Sequence, residues 1–485
     1  MTLFLISIAL LIVGYLLYGW LIEKIFGIRP RNVTPAYSKC DGVDYVPLPT
    51  WKVFLIQFLN IAGLGPIFGA IMGVMFGPAA FLWIVLGTIF GGAVHDFVSA
   101  MISMRSGGAS LPEITGRELG NWVKQFSRIW TVILLILVGA VFVVSPAGLL
   151  AGMTPSWLDK FTWIAIIFIY YILATLLPID KLIGNFYPIF GFALLFMAAG
   201  LFCVLIFGGM EIPHGISEGL YTRYGDDAHP VFPMMFVSIA CGAISGFHAT
   251  QSPMMARCLR NERLARPVFY GAMVAEGFVA LIWAAAAITF TQGYQGLSDY
   301  MAADGHDAGA LVHDISVGWL GQIGGILAIL GVVAAPITTG DTALRSSRLI
   351  VSDMMKIDQR KVLKRLLVSL PIFALCFAIM LIDFNVLWRY FAWCNQVLSM
   401  ITLWAVTVYL ARHRKAFIVT LLPAMFMTAV CISYILFAKA EGLGLDWTVS
   451  VVAGCVVAVV FMLLFFDFLR RYRRDHAAMA KSRHK

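Results

Sequence analysis

Apolar runs of about twenty residues, separated by shorter polar connections, recur from one end of the chain to the other. Each is long enough to cross a hydrocarbon layer of about 30 Å as a helix. No strand-like alternation of apolar and polar positions interrupts them. The pattern predicts about thirteen membrane spans, at residues 3–22, 52–76, 78–103, 129–150, 161–178, 186–208, 232–256, 268–292, 319–344, 366–382, 388–410, 416–437 and 447–469. Only helices satisfy their own backbone groups in lipid at this length, so the expected fold class is all-α, polytopic and embedded in the bilayer. The first run, Leu3 to Leu21, has no Lys or Arg before it and no small-residue cleavage site after it. It reads as a retained helix rather than a signal peptide.

Two runs carry helix breakers at mid-membrane depth. The second contains "NIAGLGPIFGA" (60–70), with Gly63, Gly65 and Pro66; the seventh contains "AISGFHATQSP" (243–253), with Gly246 and Pro253. Glycine costs about 1 kcal/mol and proline about 3 kcal/mol in a helix interior, so each site predicts an unwound or kinked backbone. The two runs lie five helices apart and therefore cross in opposite directions. At an offset of 183, "IAGLG" from Ile61 lies over "ISGFH" from Ile244. At an offset of 180, "GGAVHD" lies over "GAMVAE", which pairs Asp96 with Glu276. "VVSP" near the end of the fourth span corresponds to "VVAAP" in the ninth.

These matches predict a 5+5 inverted repeat with a discontinuous first helix in each half, the architecture of the amino-acid-transporter fold. The expected division is an extra N-terminal helix and loop (1–50), a first five-helix repeat (51–231), a second (232–411), and two accessory helices with a basic tail (412–485).

Charge orients the pattern. All but four of the 35 basic residues fall on alternate connections or in the C-terminal tail; the other side keeps only Lys160, Arg223, Arg389 and Lys439. The positive-inside rule then puts the N-terminus in the periplasm and the C-terminus in the cytoplasm of a bacterial inner membrane. On this reading Arg345 and Arg348 are topology signals. The formal charge of +9 consequently reflects topology and implies no nucleic-acid partner. A composition 60% hydrophobic and 13% charged cannot cover a soluble domain. The eight cysteines show no CxxC pairing and read as small core residues rather than a disulfide frame or metal site. The outer loops 209–231 and 293–318 carry Asp226, Asp227, His229, Asp304, His306, Asp307, His313 and Asp314 without a repeated ligand spacing, and are expected to be solvated.

Chemistry is expected where the breaks meet. Unwinding frees backbone N–H and C=O groups and presents half-helix ends with about half an electron of partial charge, which suits a zwitterionic or anionic small nutrient. The candidate substrate-binding residues are Gly63, Gly65, Pro66, Ser245, Gly246, Phe247, His248 and Gln251. An ionised carboxylate at mid-bilayer costs about 2.5–3.5 kcal/mol even on the lenient insertion scale. It persists there when neutral, paired or facing a wet cavity. Asp96, Glu276 and Asp341 are the acids well inside spans, and His95 and His248 the histidines. All but His248, already a substrate candidate, are candidates for ion coupling. Adjacent residues on a helix point about 100° apart, so His95 and Asp96 are expected to serve different neighbours. Thr338 and Thr339 of "APITTGDTALR" offer hydroxyls for a cation site completed by carbonyls of the first broken helix, or bond to their own helix.

Several segments together resemble the carbon-starvation protein A family. "DGVDYVP" (41–47) followed by "IAGLGPIFGAIMG" (61–73), "GAVHDFVSAMISMRSGGASL" (92–111) and "CGAISGFHATQSP" (241–253) are similar to its signature stretches, in order, over roughly residues 27–350. The resemblance implies an inner-membrane nutrient permease induced on carbon limitation, importing peptides or, in some members, pyruvate. Many members carry glutamine where this chain has His95, and many run longer at the C-terminus.

The expected function is a secondary active transporter for a peptide, pyruvate or an amino acid, driven by protons or, as the variant, by sodium. No cofactor is expected. A passive channel is the competing class, with no filter motif to support it. No HExxH, GxSxG or paired aspartyl motif supports an enzyme.

Overall fold

A computed structural model describes residues 1–42, 45–176, 183–213, 219–224, 228–304, 306–357 and 362–482. Asp226 and Asp227 of the outer loops, and Lys181, Arg360, Lys361, Arg483 and Lys485 of the charge pattern, lie outside the described residues. Among those described there is no strand.

The helices that position the site are α1 (Thr2–Phe26), α2 (Thr50–Ile61), α3 (Gly65–Val74), α4 (Ala79–Arg105), α5 (Asn121–Met153), α6 (Lys160–Leu176) and α7 (Ile183–Phe207). They continue with α8 (His248–Ala256), α9 (Glu262–Phe290), α10 (Ala308–Met355), α11 (Val362–Met380), α12 (Phe384–Arg412), α13 (Ile418–Phe437) and α14 (Trp447–Ser482). Among the described residues, ten helices are long and apolar enough to cross a membrane singly, and α2 with α3, bent by 45°, makes an eleventh. The other two expected positions are held by the 17-residue α6 and by the segment 231–256, whose helix is interrupted over 239–247. The protein is a multi-pass membrane protein.

Both expected breaks are present. Ala62, Gly63 and Leu64 separate α2 from α3. In the seventh span only Phe236–Ser238 and α8 are α-helical, and residues 239–247 between them are turns and extended chain. Gly242 there has φ of 90°, a conformation that favours glycine. The breaks abut: a Cβ added at Gly65 would lie 2.2 Å from Cys241 Cβ, and one at Gly242 3.5 Å from Pro66 Cα. Helix α3 packs on α9 and α8 on α4, contacts that exchange when the two halves are exchanged, while α5 packs on α10. The inverted-repeat reading is thus visible in the packing as well as in the sequence.

Several boundaries differ from expectation: α5 starts at Asn121 rather than 129, and α14 runs to Ser482 rather than 469. The ninth span starts earlier and ends later: α10 begins at Ala308, is interrupted at Gly321 (φ 62°), and runs to Met355. Asp307 caps its start, accepting from Ala310 N at 2.8 Å, so an acidic residue that reads as loop in sequence serves as a helix start. The solvated outer loop is correspondingly shorter. Its described acids and histidines make local contacts: His306 stacks on Tyr300, whose hydroxyl donates to Asp314 at 2.7 Å, and His229 stacks on Tyr224. The cysteines also divide. Cys241, Cys258, Cys376, Cys394 and Cys431 are core residues, whereas Cys40, Cys203 and Cys455 are exposed.

Candidate functional site

Leaving a helix unwound inside a membrane protein strands backbone groups that need partners from elsewhere. Around the second break those partners come from three neighbouring helices. Thr88 Oγ1 on α4 donates to Gly242 O at 2.9 Å. Glu276 Oε1 on α9 accepts from Gly242 N at 3.0 Å. On α12, Asn395 Oδ1 accepts from Phe247 N at 2.7 Å, its Nδ2 donates to Ser245 Oγ at 2.8 Å, and its carbonyl accepts from Gly246 N at 3.1 Å. Asn395 thereby replaces a missing turn of helix. It sits with Gln396, a second primary amide, inside a fully buried stretch of α12.

The acids and histidines form a chain through this break. His95 Nδ1 lies 2.8 Å from Asp96 Oδ1, Asp96 Oδ2 lies 3.1 Å from His248 Nδ1, and His248 Nε2 lies 3.5 Å from Glu276 Oε2. All four side chains are completely buried. The expectation that His95 and Asp96 serve different neighbours is corrected in part: the imidazole folds back onto its neighbour's carboxylate, while the second oxygen of that carboxylate reaches α8. Asp96 and Glu276, equivalent positions of the two halves, thus meet at one imidazole.

Cys241 Sγ completes a group of donors with His248 and Glu276, all within 4.8 Å of one another. That spacing could hold a metal ion. The sulfur is already within 3.5 Å of Ser245 Oγ and Asn395 Nδ2, and the imidazole is spanned between two carboxylates. The sulfur is thus engaged by its neighbours, while His248 Nε2 and Glu276 Oε2 face each other at ion-pair distance without a hydrogen bond.

The remaining candidates are buried at the same centre, with different tasks. Gly246 is pressed on α12, where a Cβ would lie 2.4 Å from Asn395 O, so it permits close approach rather than leaving an open space. Gly65 and Pro66 pack on Cys241 and Gly242, Gly63 faces the Phe142 ring at 3.6 Å, and Phe247 and Gln251 are 3% and 1% exposed. Thr338, Thr339 and Asp341 lie apart on α10. Both threonine hydroxyls donate to Ala335 O, at 2.7 and 3.1 Å. Asp341 pairs with Arg345 at 3.3 Å, and Arg345 also donates to Ala174 O at 3.0 Å. Arg345 and Arg348 are 7% and 6% exposed. Arg345 is a structural ion-pair partner and not merely a topology signal, because α10 extends a turn or more beyond its expected end.

A second network ties the end of α4 to the start of α9. Arg105 at the end of α4 makes a bidentate pair with Glu262 at the start of α9, at 3.1 and 2.7 Å. Glu262 also accepts from Arg29 N at 2.8 Å and Asn32 Nδ2 at 3.1 Å. Sequence reasoning missed Asn395, Thr88 and this pair. Asn395-Gln396 in mid-span carried the same signal as His95-Asp96, a polar pair where water is scarce.

The carbon starvation protein CstA family matches this chain over residues 1–157 and 151–320. The chain is 44% identical over 348 residues to an uncharacterized membrane protein of Haemophilus influenzae, covering 62% of this chain and 94% of that one. It is 30% identical to the peptide transporter CstA of Bacillus subtilis, over 59% of this chain and 58% of the relative. It is 29% identical to the pyruvate/proton symporter BtsT of Escherichia coli, over 59% of this chain and 49% of the relative. The chain spans about half the length of these named relatives. Among solved structures it resembles MhsT in complex with L-phenylalanine, with a TM-score of 0.56 at 15% identity, covering 87% of this chain and 98% of that one. A manganese transporter of Eremococcus coleocola gives a TM-score of 0.53 at 12% identity, covering 88% and 98%. At such identities the likeness is one of fold.

Proposed function

The chain belongs to the carbon starvation protein CstA family, and from that membership we propose that it is a secondary active transporter importing a short peptide or small carboxylate nutrient by alternating access. The halves that move are residues 51–231 and 232–411, with 1–50 and 412–485 accessory. Its N-terminus faces the periplasm and its C-terminus the cytoplasm of a bacterial inner membrane, following the basic connections. Its physiological task is scavenging during carbon starvation.

Protons drive the cycle through Asp96, His248 and Glu276. The single observation that carries this reading is the buried chain His95–Asp96–His248–Glu276, which joins acids of both halves at the break. A group that gains or loses a proton there changes the charge balance between the halves, and so biases which side of the membrane the centre faces. The relatives named peptide transporter and pyruvate/proton symporter support both the cargo classes and the coupling ion. A sodium-coupled variant would use Thr338 and Thr339, whose hydroxyl oxygens keep lone pairs after donating to Ala335 O.

The test is uptake of labelled peptides, pyruvate and amino acids into proteoliposomes under separately imposed proton and sodium gradients. Concentrative uptake abolished by a protonophore supports the proposal. Accumulation that follows sodium alone replaces the coupling ion, and equilibration without accumulation replaces the carrier with a channel.

A further inference from the structure

Beside the histidine–carboxylate chain lies a set of buried polar atoms that the transport reading has not used. On α2 they are Gln57 Oε1 and Asn60 Oδ1, on α4 Ser99 Oγ, and on α8 Gln251 Oε1. Each residue is 0–6% exposed, and none of these atoms has a hydrogen-bond partner in the protein. Buried polar atoms are nearly always paired, so four on facing helices ask for an occupant.

The three helices present these atoms to one another. Gln57 Nε2 donates to Ser252 Oγ at 3.0 Å, tying α2 to α8. Asp96 opposes His248, and Ser103 Oγ lies 3.5 Å from Pro253 O, so α4 and α8 run in parallel and Ser99 falls at the level of Gln251. Helices α2 and α8 run antiparallel past the Gln57–Ser252 contact, which brings Asn60 towards the level of His248. The four residues therefore lie at neighbouring levels of three mutually contacting helices, on the α8 side of the break.

Three of the four atoms are amide oxygens, which only accept; the fourth, Ser99 Oγ, accepts or donates. Thr250 Oγ1 gives its hydrogen to Phe247 O at 2.7 Å, so it can only accept from Gln251 Nε2 at 2.9 Å; this fixes Gln251 with its amide oxygen unbonded. Amide oxygens, a hydroxyl and a neighbouring carboxylate accept hydrogen bonds. Apart from Lys52 near the start of α2 and Arg105 at the end of α4, none of the three helices carries a lysine or arginine. A carboxylate finds no cation among them, whereas a group with several N–H donors and positive charge finds acceptors on three sides.

We infer that the facing sides of α2, α4 and α8 form a subsite for the ammonium group of the cargo, held by Asn60, Ser99 and Gln251 with Gln57 at its edge. The inference rests on the transporter reading and narrows it to substrates with a free amine. A hydrogen bond to a charged group is worth enough that removing the amine weakens binding by about tenfold or more.

The full chain in proteoliposomes tests it, with alanine, dialanine, N-acetylalanine, N-acetyl-dialanine and pyruvate compared for uptake and for thermal stabilisation of the protein. The free-amine compounds should bind at least about tenfold more tightly than their acetylated forms. Asn60→Leu and Gln251→Leu should each shrink that gap several-fold. Asn60→Asp, which keeps an acceptor, should retain it, and Ser99→Ala provides a milder change should the leucine variants fail to fold. Equal binding of acetylated and free compounds by the unmodified chain, or an undiminished gap in the variants, means that only water fills the space and overturns the subsite. Uptake of pyruvate alone overturns the subsite and leaves the carrier standing. No accumulation of any compound under any gradient overturns both.

Discussion

Asp96 and Glu276 share the imidazole of His248: one nitrogen lies 3.1 Å from Asp96 Oδ2 and the other 3.5 Å from Glu276 Oε2. The two acids stand at corresponding places in the inverted halves, and the histidine belongs to the break itself. Any movement of one half against the other must stretch or remake this bridge. It is the place where ion binding and alternating access can act on each other.

Replacing Asp96 by Asn removes the charge and keeps the size. The charge-assisted contacts to His95 and His248 are lost, worth about 1.5–3 kcal/mol each. Proton-driven uptake should fall about tenfold or more with unchanged protein in the membrane, measured in proteoliposomes alongside quantitative blotting. Uptake that remains normal and still responds to the proton gradient would remove Asp96 from the coupling chain.

Asn395 holds the unwound segment by three groups at once. Asn395→Leu should leave Phe247 N without a partner, at about 1–3 kcal/mol, and Ser245 Oγ with only the Cys241 sulfur. The expected result is a melting temperature several degrees lower in detergent, together with weaker substrate binding. A melting curve identical to that of the unmodified chain would show that the break holds its shape without α12.

The two break glycines should respond oppositely to a methyl group. At Gly63 a Cβ meets only the Phe142 ring, at 3.6 Å, an ordinary contact, so Gly63→Ala should be tolerated. At Gly246 a Cβ would lie 2.4 Å from Asn395 O and 2.5 Å from Ser399 N, both backbone atoms. Gly246→Ala should cost about 1–3 kcal/mol by overpacking, seen as loss of monodisperse protein on size-exclusion chromatography.

The Arg105–Glu262 pair predicts a gate. Glu262→Ala leaves Arg105 with only Gly27 O and the Phe26 ring as partners and removes the acceptor for Arg29 N and Asn32. Access to the centre can be read from Cys241, which is 5% exposed, after the exposed Cys40, Cys203 and Cys455, and with them Cys258 and Cys394, are replaced by serine. Its rate of modification by a small thiol reagent should rise about tenfold, the population shift expected for losing a charge-assisted pair. An unchanged rate would place the closing contacts elsewhere.

On α10, Arg345→Leu should strand Asp341, which is 3% exposed, at about 3–5 kcal/mol. Pairing that change with Asp341→Leu should recover most of the loss in a thermal melt. Two additive losses would mean that the residues act independently.

The apolar period along the chain, the two glycine–proline breaks and the offset matches already contained the membrane class and the inverted repeat. These are legible because lipid imposes them locally: a span must be about twenty apolar residues, and an interruption must be written in residues that break helices. The acids and histidines were legible for the same reason, since a titratable group in an apolar run stands out against its neighbours. Asn395-Gln396 stood out in the same way, but the backbone groups that Asn395 holds could not be read until the segment opposite it was known.

Tertiary structure decided what those residues do. Whether Asp96 reaches His248, whether Gly246 opens a space or closes one, and whether Arg345 also ties α10 to Ala174 O all depend on which helix lies opposite. Residues more than a hundred positions apart in sequence meet through the crossing of the halves, and the direction of each hydrogen bond follows from that crossing. Lipid dictates where the chain spans and where it breaks; contacts between helices dictate which polar groups find one another, because inside a membrane each must find a partner or remain costly.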